Sequence, residues 1–468
     1  MERMVQLRLG MVIMFAWLAA TGAARSLAAD RIVLREEVSD SRIRSVAVEL
    51  SVTGRLFPEP GPEKSLKLAV EARFDYTERR LPGTGREARA LHAVRRYEQA
   101  RATIQAGNQI SNATLRNSQR LIVALGQLEG IELFSPSGPL TYGELELLRT
   151  PGDSLAIVGL LPESAVETDE TWKPADWVIP LLTGVDAVEK GGLTCKLESV
   201  KSGEASISFS GDVTGATVGA ASALQIDGHV IYDREQKLVT RIEMTQSEKR
   251  AVGAVSPGLD VVAKANLTRA IVAHPMRLTD QDLADLPLEP NAANRLLMFE
   301  APAWNLRFFH DRHWHLFHQT SEVAMLRLLD LGGLIAQCNI KKLPDASPGE
   351  HVSQATFQDD IVRTLGKNFE QIVASEKLAL KEGLFVIRVV AVGTVERRNA
   401  KNEPEPGPMQ WIYYLVAHAD GRQVSFVFSV DPKQVDALNN RDLAIVGGLE
   451  FLPPPAKPTP ATKRPTGK

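Results

Sequence analysis

The chain has 468 residues, with 54 lysines and arginines against 57 aspartates and glutamates, so its formal net charge is −3 at pH 7. That near-balance argues against a dedicated nucleic-acid-binding protein, which normally carries a strongly basic face. Hydrophobic residues make up 44% of the chain, an ordinary share for a globular protein, and the length predicts two or three domains.

The N-terminus has the order of a secretory signal peptide. Arg3 and Arg8 give a basic start, and Met11–Ala24 is an apolar run. Ser26–Ala28 then supplies small residues at the −3 and −1 positions of a cleavage site. The run is shorter than the about 20 apolar residues of a membrane span, and no cysteine follows it for lipid attachment. We therefore expect residues 1–28 to direct export to the periplasm or the extracellular space; the alternative is an uncleaved anchor.

The C-terminal segment is biased in composition. Among the sixteen residues Pro453–Lys468, six are proline, four are basic and none is acidic. Such a sequence buries too little apolar surface to offset the entropy of ordering, so we predict a disordered Pro/Lys-rich tail. Its charge is compatible with peripheral contact to an anionic membrane surface or polymer.

Residues 30–277 are predicted to form mainly β-strands. Apolar residues alternate with polar ones in Val46–Val52 and Leu66–Ala72, and longer alternating segments fill Leu193–Ser247. Between them, Thr141 and Glu144 have the spacing of a capping box, which predicts a short helix. A second short helix is predicted to begin after Asp176, which would be its N-cap residue. The expected unit is a curved antiparallel sheet, open and half-barrel-like, with short helices across one face.

This strand order with inserted helices resembles the half-barrels of bacterial lipoprotein-carrier proteins. The resemblance implies an apolar groove beneath the helices that holds an acyl chain. Candidate lining residues are then Trp172, Trp177, Leu181 and Leu182. The alternative is that these side chains simply fill the core, as most aromatic residues at helical spacing do.

Residues 278–300 are predicted to be a linker, because this stretch is acidic, contains prolines and lacks sustained periodicity. The sequence pattern then changes, and residues 301–452 are predicted to form an antiparallel sheet with packed helices. The predicted elements are a hairpin of Leu306–His310 with His313–His318, a helix at Val323–Leu329, a strand at Leu334–Ile340, a long helix at Phe357–Leu380, a three-strand meander over residues 384–430, and a last helix opened by Asp431-Pro432.

Residues 304–451 resemble the fold family of the PsbP, Mog1 and DcrB proteins. The residues that carry this resemblance are Asp311-Arg312-His313-Trp314, Leu334-Ile335-Ala336-Gln337-Cys338-Asn339, Trp411-Ile412-Tyr413-Tyr414 and Asp420-Gly421-Arg422-Gln423. Because members of that family are mostly accessory or binding proteins, the resemblance implies a non-enzymatic role. Together the two units predict an α+β fold class.

Four of the nine histidines lie within nine residues, at His310, His313, His315 and His318. A two-residue turn at Asp311-Arg312 would pair His310 with His313 across the hairpin and place His315 on the same face. Three imidazoles on one face could ligate zinc, copper or nickel, or respond to protons. Because apolar residues share that face and no metal-motif spacing is present, surface or packed histidines are the alternative.

Trp411 and Tyr413 fall on one face of a predicted strand and Tyr414 on the other, so at least one face should be core. Trp411 and Tyr413 are the candidate ligand or partner surface of the second unit. The two cysteines, Cys195 and Cys338, lie in different units, and each is predicted to be a small buried residue. The alternative is a disulfide bridge between the two units.

No cofactor and no catalytic motif is predicted. The chain has no Gly-x-Ser-x-Gly elbow, His-Glu-x-x-His or P-loop, and the loop Gly83-Thr84-Gly85 lacks the third glycine of a dinucleotide site. The leading hypothesis is therefore an exported, non-enzymatic protein that presents sheet surfaces to a partner protein or apolar ligand. The alternatives are a lipid or lipoprotein carrier and a metal-linked sensor or enzyme at His310, His313 and His315; the sequence leaves the partner and the oligomeric state open.

Overall fold

The computed structural model describes residues 31–61, 64–83, 85, 87–398 and 403–453. The predicted signal peptide, the tail beyond Pro453 and Thr84 of the glycine loop lie outside these residues. The described chain is 53% strand and 15% helix, arranged as three mainly antiparallel sheets with short helices. The predicted α+β class is therefore wrong, and the protein is mostly β.

The first sheet contains twelve strands drawn from the first thirteen of the chain. These thirteen are β1 (Arg44–Phe57), β2 (Leu66–Arg80), β3 (His92–Ala106), β4 (Gln109–Thr114), β5 (Leu121–Gln127), β6 (Gly130–Phe134), β7 (Leu140–Thr141), β8 (Thr171–Trp172), β9 (Ala187–Lys201), β10 (Glu204–Thr217), β11 (Ala220–Asp233), β12 (Leu238–Arg250) and β13 (Gly258–Ile271). Their order is β6-β5-β3-β2-β1-β13-β12-β11-β10-β9-β8, with β4 paired to β3 and β7 in another sheet.

Alternation gives this sheet one apolar face, here called the inner face. Val48 of β1 stands between Phe74 of β2 and Leu267 of β13, and all three are buried. The neighbouring residue Glu49 points to the opposite face and is exposed. The alternation of apolar and polar residues in the sequence therefore places the apolar side chains of these strands on the inner face and the polar ones on the opposite face.

Residues 140–185, the covering segment, pack on the inner face. They include the helices α1 (Tyr142–Leu148) and α2 (Val178–Thr183) and a 3-10 turn at Ala156–Leu160. The predicted capping box is confirmed: Thr141 Oγ1 accepts from the backbone of Glu144, whose carboxylate accepts from the backbone of Thr141. The predicted cap at Asp176 is wrong, because α2 follows Trp177 without a side-chain cap.

The second half of the chain forms two further sheets. Its strands are β14 (Leu297–Ala301), β15 (Leu306–His310), β16 (Trp314–Gln319), β17 (Val323–Asp330), β18 (Gly333–Lys342), β19 (Phe369–Leu378), β20 (Leu384–Arg398), β21 (Pro404–His418), β22 (Gln423–Val430) and β23 (Glu450–Phe451). Its helices are α3 (Asp280–Leu283), α4 (Gln354–Leu365), α5 (Val435–Leu438) and α6 (Arg441–Gly447). One sheet has the order β23-β15-β14-β7 and the other β16-β17-β18-β22-β21-β20-β19.

Two predicted helices of this half are wrong. The stretch Phe357–Leu380 is not one helix, because α4 ends at Leu365 and β19 then pairs with β20. Gly366, with a φ of 49°, adopts the left-handed backbone that favours glycine and ends the helix. Val323–Leu329 is strand β17, in which Ala324, Leu326 and Leu328 alternate toward the core.

The predicted hairpin at Asp311-Arg312 is also wrong. β15 pairs with β14 and β23, whereas β16 pairs with β17 in the seven-stranded sheet. The chain therefore changes sheets at this point, and His310 and His313 are not cross-strand partners.

The two halves are joined by hydrogen-bonded backbone. β7, at the start of the covering segment, pairs in parallel with β14, so that Leu140 stands beside Leu297. The stretch predicted to be a linker contains α3 and buries Leu278 and Leu283 against Phe134.

The cysteines are free and buried in separate cores, Cys195 under the first sheet and Cys338 in the seven-stranded sheet. The prediction of buried small residues is confirmed, and the bridge between halves is wrong. Of the helices in the described ranges, none is both long and apolar enough to cross a membrane.

Candidate functional site

A pocket of about 230 Å³ opens at the border of the covering segment, and we call it the Trp pocket. Its walls are drawn from two stretches of the covering segment, residues 158–166 and residues 170–177, and they include Trp172 and Trp177. Both indoles are half-buried and pack against the apolar core of the first sheet. The pocket is therefore an opening at the edge of that core.

Each indole is held in place by its neighbours. Trp172 lies on β8, opposite Cys195, and its Nε1–H donates to the carbonyl oxygen of Leu160 at 3.0 Å. Trp177 lies over Gly159, where a Cβ would come within 2.6 Å of the indole ring, so only glycine leaves it room. The Nε1–H of Trp177 has no hydrogen-bond partner among the described residues.

The structure separates the four residues predicted to line a groove. Trp172 and Trp177 lie in the Trp pocket, whereas Leu181 and Leu182 of α2 are 3% and 0% exposed and fill the core. The sequence could not distinguish the two pairs, because all four are apolar residues near one predicted helix.

Carboxylates surround the pocket. Arg31 donates to Glu170 at 3.2 Å and pairs with Glu167 at 3.5 Å. Glu163 lines the pocket and Asp176 adjoins it, and neither makes an ion pair within the described part of the chain. The opening thus presents two carboxylates without ion-pair partners, and the exposed ammonium group of Lys173, beside two indole rings.

A buried ionic cluster ties the covering segment to the sheet. Arg95 of β3 donates to Glu78 of β2 at 2.9 Å and to Asp153 of the covering segment at 2.8 Å and 2.5 Å. Ser154 donates to Glu78 at 2.5 Å. Burial alone would raise the pKa of Glu78, but Arg95 lowers it, so this carboxyl is ionised. Sequence reasoning missed the cluster, although Glu78 and Arg95 interrupt apolar positions of their strands.

A second buried cluster holds the segment before β1. Glu36 accepts two hydrogen bonds from Arg269, at 3.1 Å and 2.6 Å, and pairs with Arg80 at 2.8 Å. Burial would raise the pKa of Glu36, but Arg269 and Arg80 lower it to about 2. The carboxylate of Glu36 is thus compensated by two guanidinium groups, whereas Nε and Nη2 of Arg80 are buried without a hydrogen-bond partner among the described residues.

The histidines are not brought together into a metal site. His310 is buried and donates from Nδ1 to the carbonyl oxygen of Asp311 at 2.8 Å, whereas His313 is exposed beside the Asp311 carboxylate. In the chain as described, no group of three or more His, Cys, Asp or Glu side chains could hold a metal ion.

His315 instead lies at the junction between the halves. Its ring packs edge-on to Tyr142 of α1, with centroids 5.9 Å apart. Its Nδ1 is buried and has no hydrogen-bond partner among the described residues. Burial, aided by the charge of Arg149, lowers the pKa of His315 to about 4, so its ring is neutral at pH 7.

Trp411 and Tyr413 lie beneath α4 rather than on the surface. Each is 7% exposed, and Tyr413 packs edge-on to Phe357 of α4. Tyr414 points to the opposite core, where it donates to Asp442 at 2.6 Å and accepts from Arg388 at 3.0 Å. Both faces of the strand are therefore core.

Comparisons with known proteins leave the family open. No family model and no curated protein matches the chain. Among solved structures, one of lipovitellin, described as showing lipid–protein interactions, matches at 12% identity with a TM-score of 0.28 over 55% of this chain and 27% of that one. DynF from the dynemicin pathway of Micromonospora chersina matches at 6% identity with a TM-score of 0.16 over 53% of this chain and 88% of that one.

The translocator domain of the autotransporter NalP from Neisseria meningitidis matches at 8% identity with a TM-score of 0.12, over 83% of this chain and 88% of that one. The chain spans about a quarter of the length of the lipovitellin chain. Scores this low carry no argument about fold or function, so both family resemblances stay predictions.

The Asp153→Asn variant tests the ionic cluster. Removing this charge leaves Arg95 buried with too few partners, so we expect the free energy of unfolding to fall by about 3 kcal/mol in denaturant titration. The control is Asp360→Asn, which breaks the exposed pair with Arg363 and should cost less than about 0.5 kcal/mol. Equal effects of the two variants would contradict a structural role for the cluster.

Stability should fall in mild acid because of His315. Its folded pKa of about 4 lies below the ordinary 6.5, so the unfolded chain binds more protons between these values and the free energy of unfolding decreases as pH falls from 6.5 to 4. Denaturant titrations at pH 7 and pH 5 measure how much unfolding free energy the protein loses between these two values. In His315→Gln this loss should be smaller by about 1–2 kcal/mol than in the wild type. The exposed His318→Gln serves as the control, and an unchanged slope in His315→Gln would refute the assignment.

Proposed function

We propose that this protein is an exported, non-enzymatic binding protein that takes an apolar ligand, or an apolar side chain of a partner, in the Trp pocket. The observation that carries the proposal is the placement of two half-buried indoles at an opening continuous with the apolar core. Ligand sites are typically concave, with apolar walls and a few polar groups. This pocket combines two indoles and two prolines with charged side chains, so its lining is about equally apolar and polar.

The dimensions of the pocket limit what enters it. At about 230 Å³ it is smaller than the about 300–1,000 Å³ of sites that enclose drug-sized ligands. A ring or a short stretch of methylene groups fits, and the remainder of a larger ligand would stay outside. Export is proposed from the N-terminal sequence alone.

A second candidate function is a lipid or lipoprotein carrier that uses the inner face of the first sheet. The observation in its favour is that the covering segment fills this face with side chains such as Ile157, Leu160 and Leu182, all fully buried. If the segment moved aside, an apolar surface of the same extent would be open to an acyl chain. The ion pairs Arg95–Asp153 and Arg116–Glu144 and the hydrogen bond from Ser154 to Glu78 are among the polar contacts that hold the segment on the sheet.

The proposed site is tested with a dansylated fatty acid whose fluorescence rises on binding. We expect saturable binding to the wild-type chain, weakened at least about tenfold by Trp172→Ala or Trp177→Ala, the scale of losing one aromatic anchor. Leu128→Ala removes an exposed apolar side chain elsewhere, at the turn after β5, and should leave binding unchanged. Binding that is absent, or insensitive to both tryptophan variants, would rule out the site.

The carrier function makes a different prediction for the same probe. Loosening the covering segment with Asp153→Asn should increase the number of probe molecules bound, because the inner face becomes accessible. Native mass spectrometry counts them directly and reveals lipid retained through gentle purification. Unchanged stoichiometry in a folded Asp153→Asn variant, with no lipid on the purified protein, would exclude the carrier function.

A further inference from the structure

The two indoles of the Trp pocket stand beside the same step of the chain. Trp172 donates its Nε1–H to the carbonyl oxygen of Leu160, and the ring of Trp177 lies over Gly159. Both side chains are half-buried and both line the pocket, so part of each ring is open to a ligand. Because the N–H of Trp172 is already bonded, this residue offers a ligand its aromatic surface rather than a donor. The face of an indole attracts cations more strongly than that of any other side chain.

The charged side chains at the pocket also favour a cation. Glu170, which lines the pocket, is paired with Arg31, whereas Glu163 and Lys173 of the lining make no ion pair within the described residues. Asp176 adjoins the pocket and is likewise unpaired in the described part of the chain. Lys173 offsets one of the two unpaired carboxylates, so at least one negative charge remains. An anionic group is accommodated only beside Lys173.

The walls of the pocket favour a quaternary ammonium group over a protonated amine. A protonated amine has three N–H donors, and each needs an acceptor when the group leaves water. The side chains of Val158, Leu161, Pro162 and Pro174 in the lining offer none. A trimethylammonium group has no donor, and its methyl groups can lie against indole and proline rings while a carboxylate balances the charge. Recognition of such groups is the best-known use of aromatic surfaces as cation sites.

The volume of the pocket fits this group. An apolar cavity of about 150 Å³ holds benzene, and the Trp pocket has about 230 Å³. Trimethylammonium with its first methylene group has one non-hydrogen atom fewer than benzene. The remainder of a larger ligand stays at the opening, where the ammonium group of Lys173 is exposed.

We infer that the Trp pocket binds a quaternary ammonium group, with Trp172 and Trp177 against its methyl groups and the Glu163 carboxylate balancing its charge. In a zwitterionic ligand such as phosphocholine, the anionic group contacts Lys173. The inference rests on the proposed function, because it names the class of ligand for the same pocket. The same chemistry occurs in free choline compounds and in the headgroup of phosphatidylcholine.

The test is isothermal titration calorimetry of the full chain with choline, phosphocholine and the neutral tert-butyl analogue of choline, in which carbon replaces the charged nitrogen. Both cationic ligands should bind saturably, and the neutral analogue should bind at least about tenfold more weakly because it makes no cation–π contact. Trp177→Ala should weaken both cationic ligands at least about tenfold. Trp177→Phe keeps a ring and should lose less, and Leu128→Ala should change nothing.

Two charge variants separate the contacts within the pocket. Glu163→Gln should weaken choline and phosphocholine several-fold at low ionic strength. Lys173→Gln should weaken phosphocholine several-fold but strengthen choline, because choline has no anionic group and is repelled by the lysine. Both side chains are exposed, so circular dichroism should match the wild type. If Lys173→Gln changes both ligands alike, or if Glu163→Gln changes neither, the inference is overturned.

Vesicles identify the source of the group. Co-sedimentation with phosphatidylcholine vesicles, reversed by phosphocholine and absent with phosphatidylethanolamine, supports the inference with the lipid headgroup as ligand. Binding of phosphocholine without co-sedimentation supports it with a free solute as ligand. Equal co-sedimentation with both lipids, unaffected by phosphocholine, contradicts a site for quaternary ammonium groups.

The outcomes distinguish this inference from the proposed function. If phosphocholine displaces the dansylated fatty acid, both stand. If the fatty acid binds but choline and phosphocholine do not, or if the neutral analogue binds as tightly as choline, this inference is overturned alone. If the cationic ligands bind and the fatty acid does not, the apolar-ligand function fails while the cation site stands; if neither binds, both fail.

Discussion

The apolar inner face of the first sheet has to be covered by other parts of the chain. Side chains such as Val48, Phe74 and Leu267 line this face, and each large apolar side chain left in water would cost about 1.5–3 kcal/mol. The opposite face, which carries residues such as Glu49, needs no cover. The covering segment therefore supplies the second layer of the domain, and its placement determines where an opening remains.

That second layer is fixed by polar contacts as well as apolar ones. Apolar packing is non-directional, whereas the Arg95–Asp153 contact specifies one position of the covering segment on the sheet. The Glu36–Arg269 pair does the same for the segment before β1. At the other end of the layer, β7 continues into the four-stranded sheet, so the covering segment also connects the two halves of the protein.

Local patterns predicted the strands and the capped helix α1 but not the pairing between distant segments. In Phe357–Leu380 the spacing of apolar residues fits a helix. The structure ends the helix at Gly366, whose backbone has a positive φ, and the following residues form strand β19 because they pair with β20. The Glu78–Arg95 pair depends on the register of β2 with β3, which no local window contains. For the site, sequence analysis selected Trp172 and Trp177 but missed Gly159, whose role is visible only beside the Trp177 ring.

The position of the Trp pocket follows from how the covering segment returns to the sheet. β8 is a two-residue edge strand, so the chain makes little backbone pairing there before it leaves again toward α2. Pro174, which follows β8 after one residue, has no N–H to donate, and this limits further pairing on the C-terminal side of the strand. A sheet edge that is neither extended nor fully covered leaves the indoles partly exposed, and a surface of this kind is stabilised when a ligand or a partner buries them.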